Sequence, residues 1–205
     1  EYQGKATYGL WKDENHWLQV PADFAAQFPD LKSVIAANQL DILEAAALRS
    51  GQSVKASDAR LLPVIPNPGK VFCVGLNYKT HVAEMKRADS EHPAIFTRFA
   101  DSLSAHGAPL PKPAATQRFD FEGELAVIIG QGGRNIAQAA AWDHIAGYAC
   151  FNDGTARDWQ RHTHQWTPGK NFPGTGPLGP FMATRKAIPD VNRLTLETRL
   201  NGKVM

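Results

Sequence analysis

The sequence predicts an α+β chain that is mainly β, with a small α/β region ahead of the β-rich part. Two observations carry this. After residue 70 the strand-like runs outnumber convincing helices, and Gly- and Pro-rich segments separate them, so the regular βαβ alternation of a doubly wound sheet is missing. Before residue 65 a short alternating pattern gives way to apolar residues at helical spacing.

The elements follow in order. Ala6-Thr7-Tyr8-Gly9-Leu10-Trp11 and Trp17-Leu18-Gln19-Val20, joined by the polar tip Lys12-Asp13-Glu14-Asn15, read as a hairpin. Leu31, Val34, Ile35, Leu40, Leu43, Ala46 and Ala47 fall at helical spacing and end at Gly51, which predicts a helix or two over 31–49. Pro63, Pro66 and Pro68, with Asn67 and Gly69, punctuate the chain. They divide a small N-terminal α/β domain, 1–65, from a second domain, 66–205. In that domain the runs 70–75, 122–130, 145–152 and 194–201 read as strands, and no internal repeat is seen.

Composition excludes several classes. With 205 residues, 43% apolar and 20% charged, the chain can bury a real core and has ordinary globular usage. The net charge is +2 and the basic residues are scattered among acids, so the footprint of a nucleic-acid binder is absent. The apolar run Leu125-Ala126-Val127-Ile128-Ile129 is far short of the roughly 20 residues a membrane helix needs. The first nine residues lack the basic start and apolar run of an export signal. Cys73 and Cys150 both lie in apolar runs and read as buried thiols, which fits a cytoplasmic protein.

The segment Phe119-Asp120-Phe121-Glu122-Gly123-Glu124-Leu125 carries the most chemistry. In a strand, alternation puts Asp120, Glu122 and Glu124 on one face. Two half-buried glutamates on one face repel each other, so something positive belongs between them. Arg or Lys partners would serve, as would plain solvent exposure. So would a hard divalent cation, which needs a third oxygen ligand. Asp153, at the exit of the apolar run that ends in Phe151-Asn152, can supply it, or can simply form a turn or cap a helix. If the repulsion is unrelieved by protein groups, Glu122→Gln leaves the fold intact or steadier while abolishing cation binding. His81 and Glu84, three residues apart after the first strand of this domain, form either a surface pair or a general base with an oriented imidazole. Their polar, highly charged surroundings predict a mobile lid. Gly130-Gln131-Gly132-Gly133 lacks a third glycine at the set spacing of a dinucleotide fingerprint and a helix opening there, which disfavours an oxidoreductase.

Taken together, these segments resemble the fumarylacetoacetate hydrolase family. The match runs in order through Lys70-Val71-Phe72-Cys73-Val74-Gly75-Leu76-Asn77-Tyr78 with His81 and Glu84, then Phe121-Glu122-Gly123-Glu124-Leu125-Ala126-Val127. Next come Gly147-Tyr148 and Asn152-Asp153-Gly154-Thr155-Ala156-Arg157-Asp158 with Gln160, and finally Gly169-Lys170-Asn171-Phe172. It covers about residues 66 to 205. The resemblance implies a β-roll-like catalytic domain, usually a homodimer, with Glu122, Glu124 and Asp153 holding Mg²⁺ or Mn²⁺ (Ca²⁺ being a further candidate). It implies that His81 and Glu84 activate water, that Lys170 is catalytic, and that Gln160, Arg157 and Tyr78 contact substrate, Arg157 being equally placed for a structural salt bridge. The implied activity is hydrolysis of a C–C bond in a small acylpyruvate-like diketo acid through a metal-bound enolate, as met in aromatic catabolism. The same parts suit a keto-acid decarboxylase, a tautomerase or isomerase, or a lyase. A non-catalytic binding protein on this fold is the alternative from another class. Two departures from the family pattern stand out: Lys170 is followed by Asn171 and Phe172 where many members have serine and then aspartate, and relatives usually continue past Met205, so the chain reads as a fragment.

Overall fold

The structure is a computed structural model that describes residues 1–78 and 91–205. The N-terminal hairpin forms as expected: β1 (Gly9–Trp11) pairs antiparallel with β2 (His16–Gln19). Its tip is closed by the Asp13 carboxylate, which accepts the backbone N–H groups of Asn15 and His16, both at 2.8 Å. Helix α1 (Ala22–Gln27) follows, then α2 (Leu31–Ala36) and α3 (Leu40–Ser50). The predicted helical stretch is thus two helices. Asp30 and Ser33 cap the start of α2 in a reciprocal box, and Asn38, at φ 55°, ends the first helix in the left-handed conformation that asparagine tolerates. A third strand, β3 (Gln52–Lys55), which the sequence pattern did not suggest, pairs with β2. Val20, Phe24, Val34, Leu43 and Ala46 form the core between this sheet and the helices.

The β-rich part opens with β4 (Val71–Gly75) antiparallel to β5 (Ala94–Arg98). After β6 (Leu103–Ala105) and the short β7 (Phe119–Asp120) comes β8 (Gly123–Ile129), which lies antiparallel to β9 (Ile145–Asn152). Strand β10 (Thr155–Ala156) returns to pair with β7. Two one-turn helices, α4 (Arg157–Gln160) and α5 (Thr167–Lys170), lead to β11 (Gly176–Leu178) and β12 (Ala183–Thr184). The main sheet runs β12-β9-β11-β6, with β8 along β9. Its inner face contributes Leu103, Ala149, Phe151 and Leu178 to a second core, against which Ala126 and Ile128 pack. This is the mainly β, α+β architecture expected.

Two expectations fail. The run 194–201 is not one strand: only β13 (Arg199–Leu200) is, paired with β14 (Lys203–Val204), while Leu194 and Leu196 are exposed. Apolar alternation does not make a strand without a neighbour to take its hydrogen bonds, and among the described residues only β14 pairs with this segment. Cys73 is buried, but Cys150 is exposed. On β9, Ala149 and Phe151 point into the core, so period-two geometry sends Cys150 to the outer face opposite Leu125. Among the described residues, no helix is long and apolar enough to cross a membrane.

Candidate metal centre

Strand register builds the site. Gly123 lies opposite Asn152 on the β8–β9 ladder, and the backbone N–H of Asp153 donates to the carbonyl of Glu122 at 2.9 Å, which sets Glu122 directly across from Asp153. Glu124, two residues on, faces the same side. The expected single acidic strand is in fact two, because the chain leaves β7 at Asp120 and enters β8 at Gly123. The convergence survives the break. One carboxylate oxygen from each of Glu122, Glu124 and Asp153 lies within 4.8 Å of the other two. Asp120 goes elsewhere, to Arg157 Nε at 2.8 Å.

The three acids are not equivalent. Asp153 is fully buried, and each of its oxygens meets a cation at 2.5 Å: Oδ1 takes Arg98 Nη1 and Oδ2 takes Lys170 Nζ. Glu122 accepts Lys170 Nζ at 3.0 Å on both oxygens, and its Oε1 also takes Arg157 Nη1 at 2.5 Å and the Thr155 hydroxyl at 3.0 Å. Among the described residues Glu124 has no ion-pair partner. Burial, and then the charges of Asp153 and Glu122, push its carboxyl up to about 7. The same surroundings push the buried Cys73 thiol up to about 12: burial first, then Asp153 and Glu124.

The cations come from three elements. Lys170 ends α5, buried, with its ammonium 4.9 Å from the centre of the Phe96 ring. Arg157 and Gln160 begin and end α4, so they share one face, and Arg157 Nη1 donates to Gln160 Oε1 at 3.2 Å. Burial works against the charge of Arg157, but Glu122 and Asp120 outweigh it and hold the guanidinium above its ordinary value. Arg157 is therefore engaged in the salt bridges that its position allowed. Tyr78 reaches β8, where its hydroxyl oxygen accepts the Leu125 amide at 3.3 Å. His81 and Glu84, with the proposed lid, lie outside the described residues.

The arrangement brings Glu122, Glu124, Asp153, Lys170, Arg157 and Gln160 into one constellation, with Tyr78 beside it. Sequence reading missed Arg98, the hydroxyls of Ser102 and Thr175 that it meets, and the Thr155 hydroxyl beside Glu122, all buried. A signal existed: Arg98 ends the apolar run Ala94-Ile95-Phe96-Thr97, much as Asp153 ends its own. Two hollows, of about 360 and about 1160 Å³, are lined by other residues, so chemistry rather than volume locates the site. Three converging carboxylates, one without a cation partner among the described residues, are a hard-oxygen donor set of the kind that suits a divalent ion. The cluster can hold one.

The comparisons agree with this geometry. Residues 70–205 match the family described as fumarylacetoacetate (FAA) hydrolase C-terminal. The chain is similar to a mitochondrial oxaloacetate tautomerase of Xenopus laevis, with 39% identity over 162 residues, which are 78% of this chain and 51% of that protein. It is 40% identical over 152 residues to the oxaloacetate tautomerase YisK of Bacillus subtilis, covering 72% of this chain and 50% of that one. The chain thus spans about half the length of these curated relatives. Its fold superposes along its whole length on 71% of a fumarylacetoacetate hydrolase from Exiguobacterium antarcticum, with a TM-score of 0.83 and 33% identity. With the ordered motifs, the sheet and the carboxylate cluster all in agreement, the chain belongs to the fumarylacetoacetate hydrolase family.

Proposed function

We propose that residues 66–205 form the catalytic part of a Mg²⁺- or Mn²⁺-dependent enzyme that interconverts the keto and enol forms of a small keto dicarboxylic acid such as oxaloacetate. The observation that carries this is the cluster of Glu122, Glu124 and Asp153, with Glu124 free of a cation partner among the described residues, in a chain about 40% identical to two proteins named oxaloacetate tautomerase. Those names favour tautomerisation over C–C hydrolysis, which is the second reading. It rests on His81 and Glu84 activating water.

The choice of ion follows from the lone pairs left over. Both oxygens of Asp153 and both of Glu122 already accept charged donors, and Glu122 Oε1 takes three, so these two acids have little capacity left for a cation, while Glu124 alone of the three has both oxygens uncommitted among the described residues. That suits a small octahedral ion which keeps water or substrate as ligands, and suits less well Ca²⁺, which takes six to eight oxygen ligands. Once bound by the three carboxylates, such an ion supplies Lewis-acid polarisation of a carbonyl oxygen.

The chain's own residues do the rest. Lys170 is buried beside Glu122 and Asp153, where its Nζ can donate to a substrate oxygen and stabilise negative charge on it. Arg157 uses Nε and Nη1 on Asp120, Glu122 and Gln160, and its Nη2 has no partner among the described residues, leaving an edge for a substrate carboxylate. Gln160 borders that edge, and Tyr78 reaches β8 beside Glu124 at the Leu125 amide. In this reading the partner is a small keto acid, nucleic acid is not a ligand, and the protein is a cytoplasmic homodimer; the small, scattered net charge supports the exclusion of nucleic acid.

The test follows the ultraviolet absorbance of enol-oxaloacetate with protein, Mn²⁺ or excess chelator, beside an acylpyruvate assay for released pyruvate. The expected result is a chelator-sensitive acceleration of enol decay of about 10²-fold or more. Pyruvate release from an acylpyruvate with no effect on the enol would establish the hydrolase instead.

A further inference from the structure

Arg98 contacts no expected substrate group, yet it is the most fully committed side chain at the site. Its five N–H donors meet five acceptors. Nε donates to Ser102 Oγ at 3.2 Å; Nη1 donates to Asp153 Oδ1 at 2.5 Å and to the Gly154 carbonyl at 3.2 Å; Nη2 donates to Thr175 Oγ1 at 2.9 Å and to the Ser102 carbonyl at 3.4 Å. The guanidinium has no exposed surface. Phe151 lies 5.6 Å from it, measured to the ring centre. A side chain on Gly176 would come within 2.8 to 3.1 Å of three guanidinium atoms, so only glycine permits the close approach. The backbone on either side of Arg98 is also pinned: Asn171 Nδ2 donates to the Thr97 carbonyl at 3.0 Å, and Asn171 Oδ1 accepts the Phe99 amide at 2.7 Å.

A plain structural counter-ion for Asp153 would need one nitrogen. This one is locked at every donor, in a planar fork that Lys cannot reproduce. Groups that orient a ligating carboxylate or imidazole typically change metal affinity 10–100-fold when altered. We propose that Arg98 is a positioning residue of the cation site: its guanidinium fixes the angle at which Asp153 faces Glu122 and Glu124, and Gly176 and Asn171 hold it there. This rests on the reading of the three carboxylates as cation ligands.

The test titrates Mn²⁺ alone into the protein and three variants, read by calorimetry and by the electron paramagnetic resonance of free Mn²⁺, with folding checked by circular dichroism. Arg98→Lys keeps the charge and loses the fork. Gly176→Ala keeps Arg98 and displaces it. Val34→Ala, in the N-terminal core, lowers stability far from the site. Mn²⁺ binding is expected to weaken about 10–100-fold in the first two and to stay within about twofold in the third. Where Arg98→Lys does not fold, Gly176→Ala decides. Wild-type affinity in the folded Arg98 and Gly176 variants overturns the proposal, as does an equal loss in Val34→Ala, since affinity would then merely track stability. Wild-type protein that takes up no Mn²⁺ sinks the cation reading itself, a result distinct from either.

Discussion

The two cores of this chain are built on opposite terms. The N-terminal one is closed by Val20, Phe24, Val34, Leu43 and Ala46 and buries no charged side chain among its members. The β-rich part buries Arg98, Asp153 and Lys170 together with Ser102, Thr155 and Thr175. Aliphatic burial stabilises a fold directly, whereas an ion network in the interior roughly breaks even against its desolvation and becomes a liability when one member is lost. The difference teaches where stability is made and where it is spent on holding charge in place. It also predicts that substitutions in the two regions will differ in what they change.

The largest effect is expected from Lys170→Met. It leaves Asp153 with Arg98 alone and Glu122 with Arg157, so one buried acid and one half-buried acid lose their shared cation. The fold should lose about 3–5 kcal/mol in urea titrations, with activity lost as well. A change below about 1 kcal/mol would mean that water already screens this network. Val34→Ala, on the other side of the comparison, should cost about 2 kcal/mol from lost burial and the cavity left behind, and should leave turnover unchanged once the protein is folded. Loss of turnover in that variant would erase the distinction between the regions.

Glu122→Gln is next, and here the structure reverses the expectation from sequence. Read as an unrelieved repulsive pair, Glu122 should have been dispensable for folding. It is instead the acid that Lys170, Arg157 and Thr155 share, so its neutralisation should destabilise by about 1–2 kcal/mol, less than a fully buried loss because a quarter of its side chain is exposed. Urea midpoints of the metal-free protein decide between the two outcomes.

What could be read from the sequence was local. Periodicity gave the hairpin and the helical stretch, and strand alternation with an acid at a strand exit gave the three carboxylates. The rest depended on contacts between distant segments. Asp153 and Arg98 are 55 positions apart, and nothing near Arg98 says that its guanidinium will meet the acid that follows β9. Glu122 and Glu124 look alike in the chain and are separated only by the arrival of Lys170 and Arg157 from α5 and α4. Cys150 was misplaced because an apolar run does not tell which of its residues face inward. The run 194–201 was misread for the complementary reason: it has the alternation of a strand and too little neighbouring backbone.

The sharpest probe of the comparison concerns Glu124, the one acid of the three without a cation partner among the described residues. Its carboxyl is raised from 4.5 to about 7, so the folded state binds the proton more tightly than the unfolded chain does. The sign follows. Glu124 contributes most stability below about pH 4.5, where both states are protonated, and that contribution declines as pH rises to about 7, above which it levels off. A divalent ion reverses the trend, because it needs the ionised carboxylate: Mn²⁺ affinity should climb by up to about tenfold per pH unit toward pH 7 and flatten beyond it. Glu124→Gln should flatten the Glu124 contribution to stability against pH, leave the metal-free fold as stable or slightly steadier at pH 8, and remove Mn²⁺ binding. Urea titrations at pH 5 and pH 8, with and without Mn²⁺, measure all of this on two proteins. If the metal-free wild type gains stability between those values relative to Glu124→Gln, then Glu124 has a cationic partner in the folded protein and all three carboxylates are held as ion pairs.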